Sequence, residues 1–135
     1  MFGGRKASKP QNRIDSLIGA GTKIEGDVHF TGGLRVDGEV RGSVIAISGQ
    51  PSMLVVSEAA RIEGEVRVTH LVVNGSIVGP VHATEFLELQ PKSRITGDVH
   101  YSALEMHLGA VVEGRLAHGR EEDAKAVELK LASSQ

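Results

Sequence analysis

The sequence contains no cysteine and no tryptophan, and only four of its 135 residues are aromatic. Without cysteine, the chain can form neither a disulfide framework nor a thiolate metal site. No run of about 18 apolar residues occurs, so we expect no membrane-spanning helix. The net charge is −2 and the pI is near 6.3. This balance argues against a nucleic-acid partner, because nucleic-acid-binding domains carry a strongly positive surface.

Two residue classes are abundant instead: glycine, with 17 copies, and the aliphatic residues that supply most of the 40% hydrophobic content. Four aromatic side chains give little bulk for the centre of a roughly spherical core. Many β-branched residues separated by glycines indicate short strands joined by tight corners. The composition therefore favours an all-β chain with a thin, elongated core.

A short pattern recurs along the chain: an aliphatic residue, any residue, glycine, any residue and a second aliphatic residue. The copies span residues 24–28, 40–44, 62–66, 77–81, 95–99 and 112–116. Their central glycines are 16, 22, 15, 18 and 17 residues apart. The longest interval contains the turn-forming segment 48–52, which we interpret as a loop inserted into a regular repeat.

A second pattern has the same period but lies out of phase with the first. Pairs of aliphatic residues alternate with other residues at positions 34 and 36, 54 and 56, 71 and 73, 87 and 89, and 104 and 106. Alternation with period two is typical of a strand with one buried face. Two strand patterns that share a period of about 17 residues predict a β-solenoid, in which each repeat forms one coil.

Stacking of the coils would place equivalent residues above one another, about 4.8 Å apart, so six coils would span about 29 Å. The two aliphatic columns of the first pattern would face inward. A slip by one residue would bury the column that contains Glu25, Arg41 and Glu63, so the register is well specified. The central glycine falls on the inward side, and we expect it to form a corner too tight for a side chain.

Histidine is the residue type most suggestive of chemistry, with six copies. His29, His82 and His100 share one repeat position, but Arg67 interrupts their column and no cysteine or inward carboxylate completes a metal site. We interpret the column as a solvated outward ladder. The sequence also lacks a phosphate-binding glycine loop and a nucleophile elbow. It therefore predicts no catalytic, cofactor-binding or metal-binding residues, and no enzyme activity.

The two ends of a solenoid expose unpaired strand edges and a slice of the core, which a soluble monomer must cover. No bulky cap is evident at either end. Stacking of chains end to end would bury both surfaces and build a filament without nucleotide. The first coil would contribute Ile24, Val28 and Phe30. The last coil would contribute Leu104, Met106, Leu108, Val112 and Leu116.

Three regions follow from these patterns: a tail over residues 1–20, the solenoid over 21–118 and a second tail over 119–135. The first tail has two interpretations. It is either a disordered start or a weak membrane anchor in which Met1 and Phe2 enter the bilayer while Arg5, Lys6 and Lys9 meet anionic headgroups. The second tail has helix-forming composition but is short for an isolated helix, and we interpret it as a frayed tail in preference to a docked element.

The coil over residues 34–44, the coil over 60–66, the final segment 108–114 and the N-terminal Met-Phe with basic neighbours resemble the bactofilins, a family of bacterial cytoskeletal proteins. The resemblance covers residues 20–118. It implies a right-handed, three-sided parallel β-helix of about six coils with disordered tails. It further implies apolar filaments that form without nucleotide through the terminal coils. Peripheral attachment to the inner face of the cytoplasmic membrane and positioning of cell-wall enzymes or other machinery are implied as well.

Two alternatives remain open from the residues alone. One is a left-handed β-helix enzyme of the hexapeptide class, such as an acyltransferase or a zinc-dependent carbonic anhydrase. Those enzymes need aliphatic residues every six positions and converging histidines, and the unequal repeats and Arg67 argue against both. The other is a monomeric adaptor whose tails cover its ends.

Overall fold

The structure is a computed structural model that describes residues 13–47 and 49–119. These residues form sixteen short strands and no helix. The strands are β1 Ser16–Ile18, β2 Lys23–Glu25, β3 Val28–Phe30, β4 Gly32–Val36, β5 Glu39–Arg41, β6 Val44–Ala46, β7 Ser52–Val56, β8 Arg61–Glu63, β9 Val66–Val73, β10 Ser76–Val78, β11 Val81–Leu89, β12 Arg94–Thr96, β13 Val99–Tyr101, β14 Leu104–Met106, β15 Val111–Glu113 and β16 Leu116–His118. Every pairing between them is parallel.

The strands wind into six coils with three sides, which confirms the predicted β-solenoid. Coils 1, 2 and 6 each hold three separate strands, while β9 and β11 continue around a corner and so belong to two coils each. One side is a six-stranded sheet in the order β2-β5-β8-β10-β12-β15. The other two sides join into a ten-stranded sheet. Each coil pairs only with the coils before and after it, as in other repeat proteins.

The inward columns are those that the sequence patterns predict. In the six-stranded sheet, Ile24 pairs with Val40, Val40 with Ile62, and the column continues to Val112. Its four central members are completely buried, whereas the flanking column that starts with Glu25 lies on the surface. Because the side chains of a strand alternate between its two faces, burial of one column fixes the register of all six coils.

The central glycines form the corners, as predicted. Gly97 has a φ of 141°, and a Cβ placed on it would lie 2.5 Å from the carbonyl oxygen of Gly79. Neither the backbone angle nor the space accommodates an L-side chain. The corner glycines of successive coils lie above one another, so the same restriction applies at Gly42, Gly64, Gly79 and Gly114, whereas Gly26 in the first coil has open space beside it.

The boundaries differ from those expected at the N-terminal side. We expected the solenoid to start at residue 21, but β1 already pairs with β4 from Ser16, with Leu17 opposite Arg35. The backbone amide of Gly33 also donates a hydrogen bond to Asp15 Oδ2 at 3.0 Å. The repeat spacing did not reveal β1 for two reasons. Ser16 stands where the second pattern has an aliphatic residue, and no copy of the first pattern precedes the strand. Of the predicted loop over residues 48–52, residues 49–51 lie outside the strands as expected, but Ser52 already begins β7.

Candidate assembly surfaces at the two ends

The two ends of the solenoid are sheet edges. Within residues 13–47 and 49–119, the strands of the first coil, β1, β2 and β3, pair on one side only, with the second coil. The strands of the last coil, β14, β15 and β16, pair only with the fifth coil. We name these edges the N-terminal end and the C-terminal end. Each presents three rows of backbone groups that can bond to further strands.

The C-terminal end exposes an aliphatic layer. Leu104 and Val112 are only partly buried, and Met106 and Leu116 are 45% and 43% exposed. Their counterparts one coil earlier, Leu87, Leu89, Ile95 and Val99, are completely buried by the last coil. Another layer placed on this end would therefore bury the same columns.

Leu108 does not belong to that layer, although we grouped it with the C-terminal contact residues. It occupies the corner between β14 and β15 and is 96% exposed. Side chains alternate between inward and outward positions only along a strand. The direction of an aliphatic side chain at a corner therefore cannot be predicted from the pattern.

The N-terminal end is less open than we expected. Ile24 and Val28 are partly buried, but Phe30 is only 8% exposed and belongs to the core. Phe30 stands in register with Ala46, whose small side chain leaves room for the ring to pack inward. Phe30 is therefore not an exposed side chain in this structure, and its assignment to the contact surface of the first coil stays a prediction. Leu17, which points outward from β1, is instead 60% exposed.

A row of polar contacts ties successive coils together beside the glycine corner. Asp27 Oδ1 accepts a hydrogen bond from the amide of Ser43 at 2.8 Å, and Asp98 Oδ1 accepts one from the amide of Arg115 at 3.0 Å. The second bond lowers the pKa of Asp98 below its usual value, helped by the Arg115 guanidinium. Asp98 therefore attaches the exposed last coil to the fifth.

Opposite charges alternate on the outer face of the six-stranded sheet. Lys23, Glu39 and Arg61 follow one another in one column, and the adjacent column holds Glu25, Arg41 and Glu63. Each charge thus has neighbours of the opposite sign along and across the strands. A hydrogen bond from Arg61 to Glu63 lowers the pKa of that carboxyl. This checkerboard reaches the N-terminal end, where Lys23 and Glu25 form the last row.

The histidine column has the predicted register but not the predicted exposure. His82 pairs with His100, and Arg67 precedes them. The two rings are stacked, with centroids 4.6 Å apart and planes within 8° of parallel. The His82 side chain is only 9% exposed, and its Nε2 lies 3.6 Å from Glu65 Oε2. The prediction of a solvated position is wrong for His82, because its stacked neighbour and Glu65 cover it.

One cluster was not found from the sequence. His107 Nε2 lies 3.2 Å from Glu88 Oε2 and 3.0 Å from Glu105 Oε2. These are metal-ligand types and their ligand atoms lie within 4.8 Å of one another, but Glu105 is exposed and His107 is already hydrogen-bonded to Glu88. Stacking of the second pattern could have revealed the pair of carboxylates, because each follows the first aliphatic residue of its coil.

The proposed membrane contacts, Met1, Phe2, Arg5, Lys6 and Lys9, lie outside the described residues, as do residues 120–135. Over residues 13–47 and 49–119, no helix is long and apolar enough to cross a bilayer.

Comparisons with known proteins agree with this architecture. The family model for bactofilins, described as polymer-forming cytoskeletal, matches residues 16–117. Bactofilin BacP of Myxococcus xanthus (strain DK1622) is 27% identical over 119 residues, which cover 88% of this chain and 48% of BacP. The chain thus spans about half the length of that relative.

A solved structure is similar as well. The bactofilin of Thermus thermophilus, reconstructed by cryo-electron microscopy as double helical filaments, is 30% identical. The match has a TM-score of 0.60 and covers 75% of this chain and 98% of the other. Since the family model matches most of its length, the chain belongs to the bactofilins, a family of polymer-forming cytoskeletal proteins.

Proposed function

We propose that this chain is a structural protein, not an enzyme, that polymerises end to end through its terminal coils into apolar filaments without nucleotide or cofactor. The observation that carries the proposal is the C-terminal end, where three unpaired strand edges surround the aliphatic layer of Leu104, Met106, Val112 and Leu116. Addition of a further coil would continue the hydrogen bonding on all three sides of the solenoid and bury this layer. The Thermus thermophilus bactofilin, which was reconstructed as double helical filaments, supports polymerisation of this chain.

Negative-stain electron microscopy of the purified protein tests polymerisation. We expect filaments without added nucleotide. Val112→Arg or Leu116→Arg should leave a folded, β-rich species of one or two subunits, because a buried, unpaired charge would oppose the contact. Val78→Arg is the matched control. Val78 lies on the outward face of the central strand β10, and its replacement should leave filaments intact. A wild-type protein that sediments as a monomer at high concentration would contradict the proposal.

We further propose that the filaments lie in the cytoplasm against the inner face of the cytoplasmic membrane, held by Met1, Phe2, Arg5, Lys6 and Lys9. Two apolar side chains contribute about 1.5–3 kcal/mol each, and each basic residue contributes about 1 kcal/mol near anionic lipid. Such an anchor is weak in one copy and effective when a filament joins many copies.

Co-sedimentation with anionic liposomes tests the anchor. Deletion of residues 1–9, or Phe2→Glu, should release the protein from liposomes while filaments persist. Undiminished co-sedimentation of both variants would refute the anchor.

The proposed role of such filaments is to position cell-wall or cell-shape machinery, with the chain itself as the principal partner and no nucleic acid involved. The family match leaves the hexapeptide-enzyme alternative without support, and the stacked histidines do not form a zinc site with a third ligand among the described residues.

A further inference from the structure

We propose that Lys23 and Glu25 determine which ends of two chains join. The apolar filament proposed above already requires that like ends meet, so the new step is the placement of the two-fold axis of the N-terminal junction. We place it through Ile24, so that Lys23 of each copy faces Glu25 of the other. The inference rests on the proposed polymerisation and assigns the residues that give one of its junctions its specificity. The partner is a second copy of this chain.

The alternation of side chains selects the strand through which the axis passes. In β2, an inward residue, Ile24, lies between two outward ones. In β1 and β3, an outward residue, Leu17 or His29, lies between two inward positions. A two-fold axis through β2 pairs β2 with its own copy and β1 with β3 of the other chain, so like patterns meet. An axis through β1 or β3 would place β2 against a strand of the opposite pattern and turn part of the core outward.

Charge then selects the register of the β2 pair. Antiparallel strands that share inward faces can pair in three ways here, centred on Lys23, on Ile24 or on Glu25. Centring on Lys23 or on Glu25 places two like charges opposite each other. Centring on Ile24 pairs the core residue with itself and gives two Lys23–Glu25 contacts, which continue the checkerboard across the junction.

A head-to-tail junction, in contrast, would not pair opposite charges. Stacking the C-terminal end of one chain on the N-terminal end of another would continue the columns in parallel. Val111 would then lie next to Lys23, and Glu113 next to Glu25. This junction leaves the lysine without a carboxylate partner in the added coil and sets two carboxylates side by side. Because charges at an interface contribute mainly to specificity, this mismatch favours the junction between two N-terminal ends.

Both side chains are available for such a contact. Lys23 and Glu25 are 46% and 69% exposed, and their mutual ion pair within the chain is long, at 3.8 Å. The C-terminal end, in contrast, has no complementary pair on β15, whose outward residues are Val111 and Glu113. Its junction is therefore expected to depend on the aliphatic layer alone.

The test isolates the N-terminal junction in a Val112→Arg background, in which the C-terminal junction is blocked. This protein should form dimers in sedimentation-velocity experiments. Adding Lys23→Glu, or separately Glu25→Lys, should raise the dimer dissociation constant at least about ten-fold, because like charges then face each other. Mixing the two variants should restore dimers, since each supplies the charge that the other lacks. Arg61→Glu with Glu63→Arg, in the same columns but away from the end, should leave the dimer unchanged.

The outcomes separate the two proposals. A wild-type protein without filaments would overturn the proposed polymerisation. Wild-type filaments with a Val112→Arg protein that is monomeric at all concentrations would overturn this inference, and so would dimers that tolerate either single charge change. Failure of the mixed variants to associate when each alone is monomeric and folded by circular dichroism would also overturn it.

Discussion

At the corner glycines, the backbones of neighbouring coils approach so closely that a single methyl group would collide with a carbonyl oxygen. Gly97 is an example from the fifth coil: its φ is positive, and a Cβ on it would lie 2.5 Å from the carbonyl oxygen of Gly79. The pattern of glycines is thus a steric requirement of stacking, and each corner depends on the one before it.

Gly97→Ala should therefore destabilise the solenoid strongly. A strained backbone angle alone costs about 1–3 kcal/mol, and displacement of the Gly79 carbonyl adds to it. We expect a clearly lower midpoint in urea unfolding followed by circular dichroism. Gly21→Ala is the matched control, because nothing lies within 4 Å of the added Cβ and its φ is not positive. Equal midpoints for the two variants would show that the corner tolerates a side chain.

The burial of some individual residues could be predicted from the sequence patterns, and the burial of others could not. The inward columns could be predicted because every coil repeats the same choice between aliphatic and polar residues. The burial of Phe30 and His82 could not, since it depends on one neighbour in the next coil: the small Ala46 beside Phe30 and the stacked ring of His100 beside His82. The exposure of Leu108 likewise depends on the direction of a corner.

The coil is the repeating element of this fold, and the last coil, like the first, is held by one neighbouring coil instead of two. It pairs on one side only, and beside the corner the Asp98 carboxylate accepts the Arg115 amide. Asp15 holds the first coil in the same manner through Gly33, and its pKa is lowered for the same reason. Each terminal coil is thus held by a hydrogen bond to a carboxylate, and the lowered pKa means that this bond is stronger when the carboxylate is ionised.

Acid should loosen the last coil before the centre of the solenoid. The folded-state pKa of Asp98 lies below its ordinary value of 3.8. Its contribution to stability is therefore fully present above that value and is lost as the pH falls through the lower, folded-state pKa. Hydrogen exchange of β15 and β16, corrected for intrinsic rates, should show less protection at pH 3 than at pH 6, while β10 changes little.

Asp98→Asn supplies the control for this prediction. Its amide oxygen can still accept the bond from Arg115, but it does not titrate, so the difference between pH 3 and pH 6 in β16 should shrink. A last coil that loses protection equally in both proteins would assign the acid sensitivity to other groups.

For the whole molecule, the six-coil architecture followed from the shared period of two patterns, since stacking of identical layers leaves few other ways to bury them. The strand β1 was missed because it belongs to a coil of which only part repeats. The end surfaces were predicted in outline, yet their unequal exposure depends on local packing at each end. Lys23 and Glu25 gained their proposed role only once the register placed them on an open edge.

The central claim is that chains join through their terminal coils and continue the β-solenoid. Cryo-electron microscopy of the wild-type filaments tests it most directly through the axial subunit spacing. Six coils at about 4.8 Å each predict an axial spacing of about 29 Å per subunit, with strand spacing unbroken across every junction. Subunits that touch through their flat sides, or junctions with a gap in the strand spacing, would contradict it.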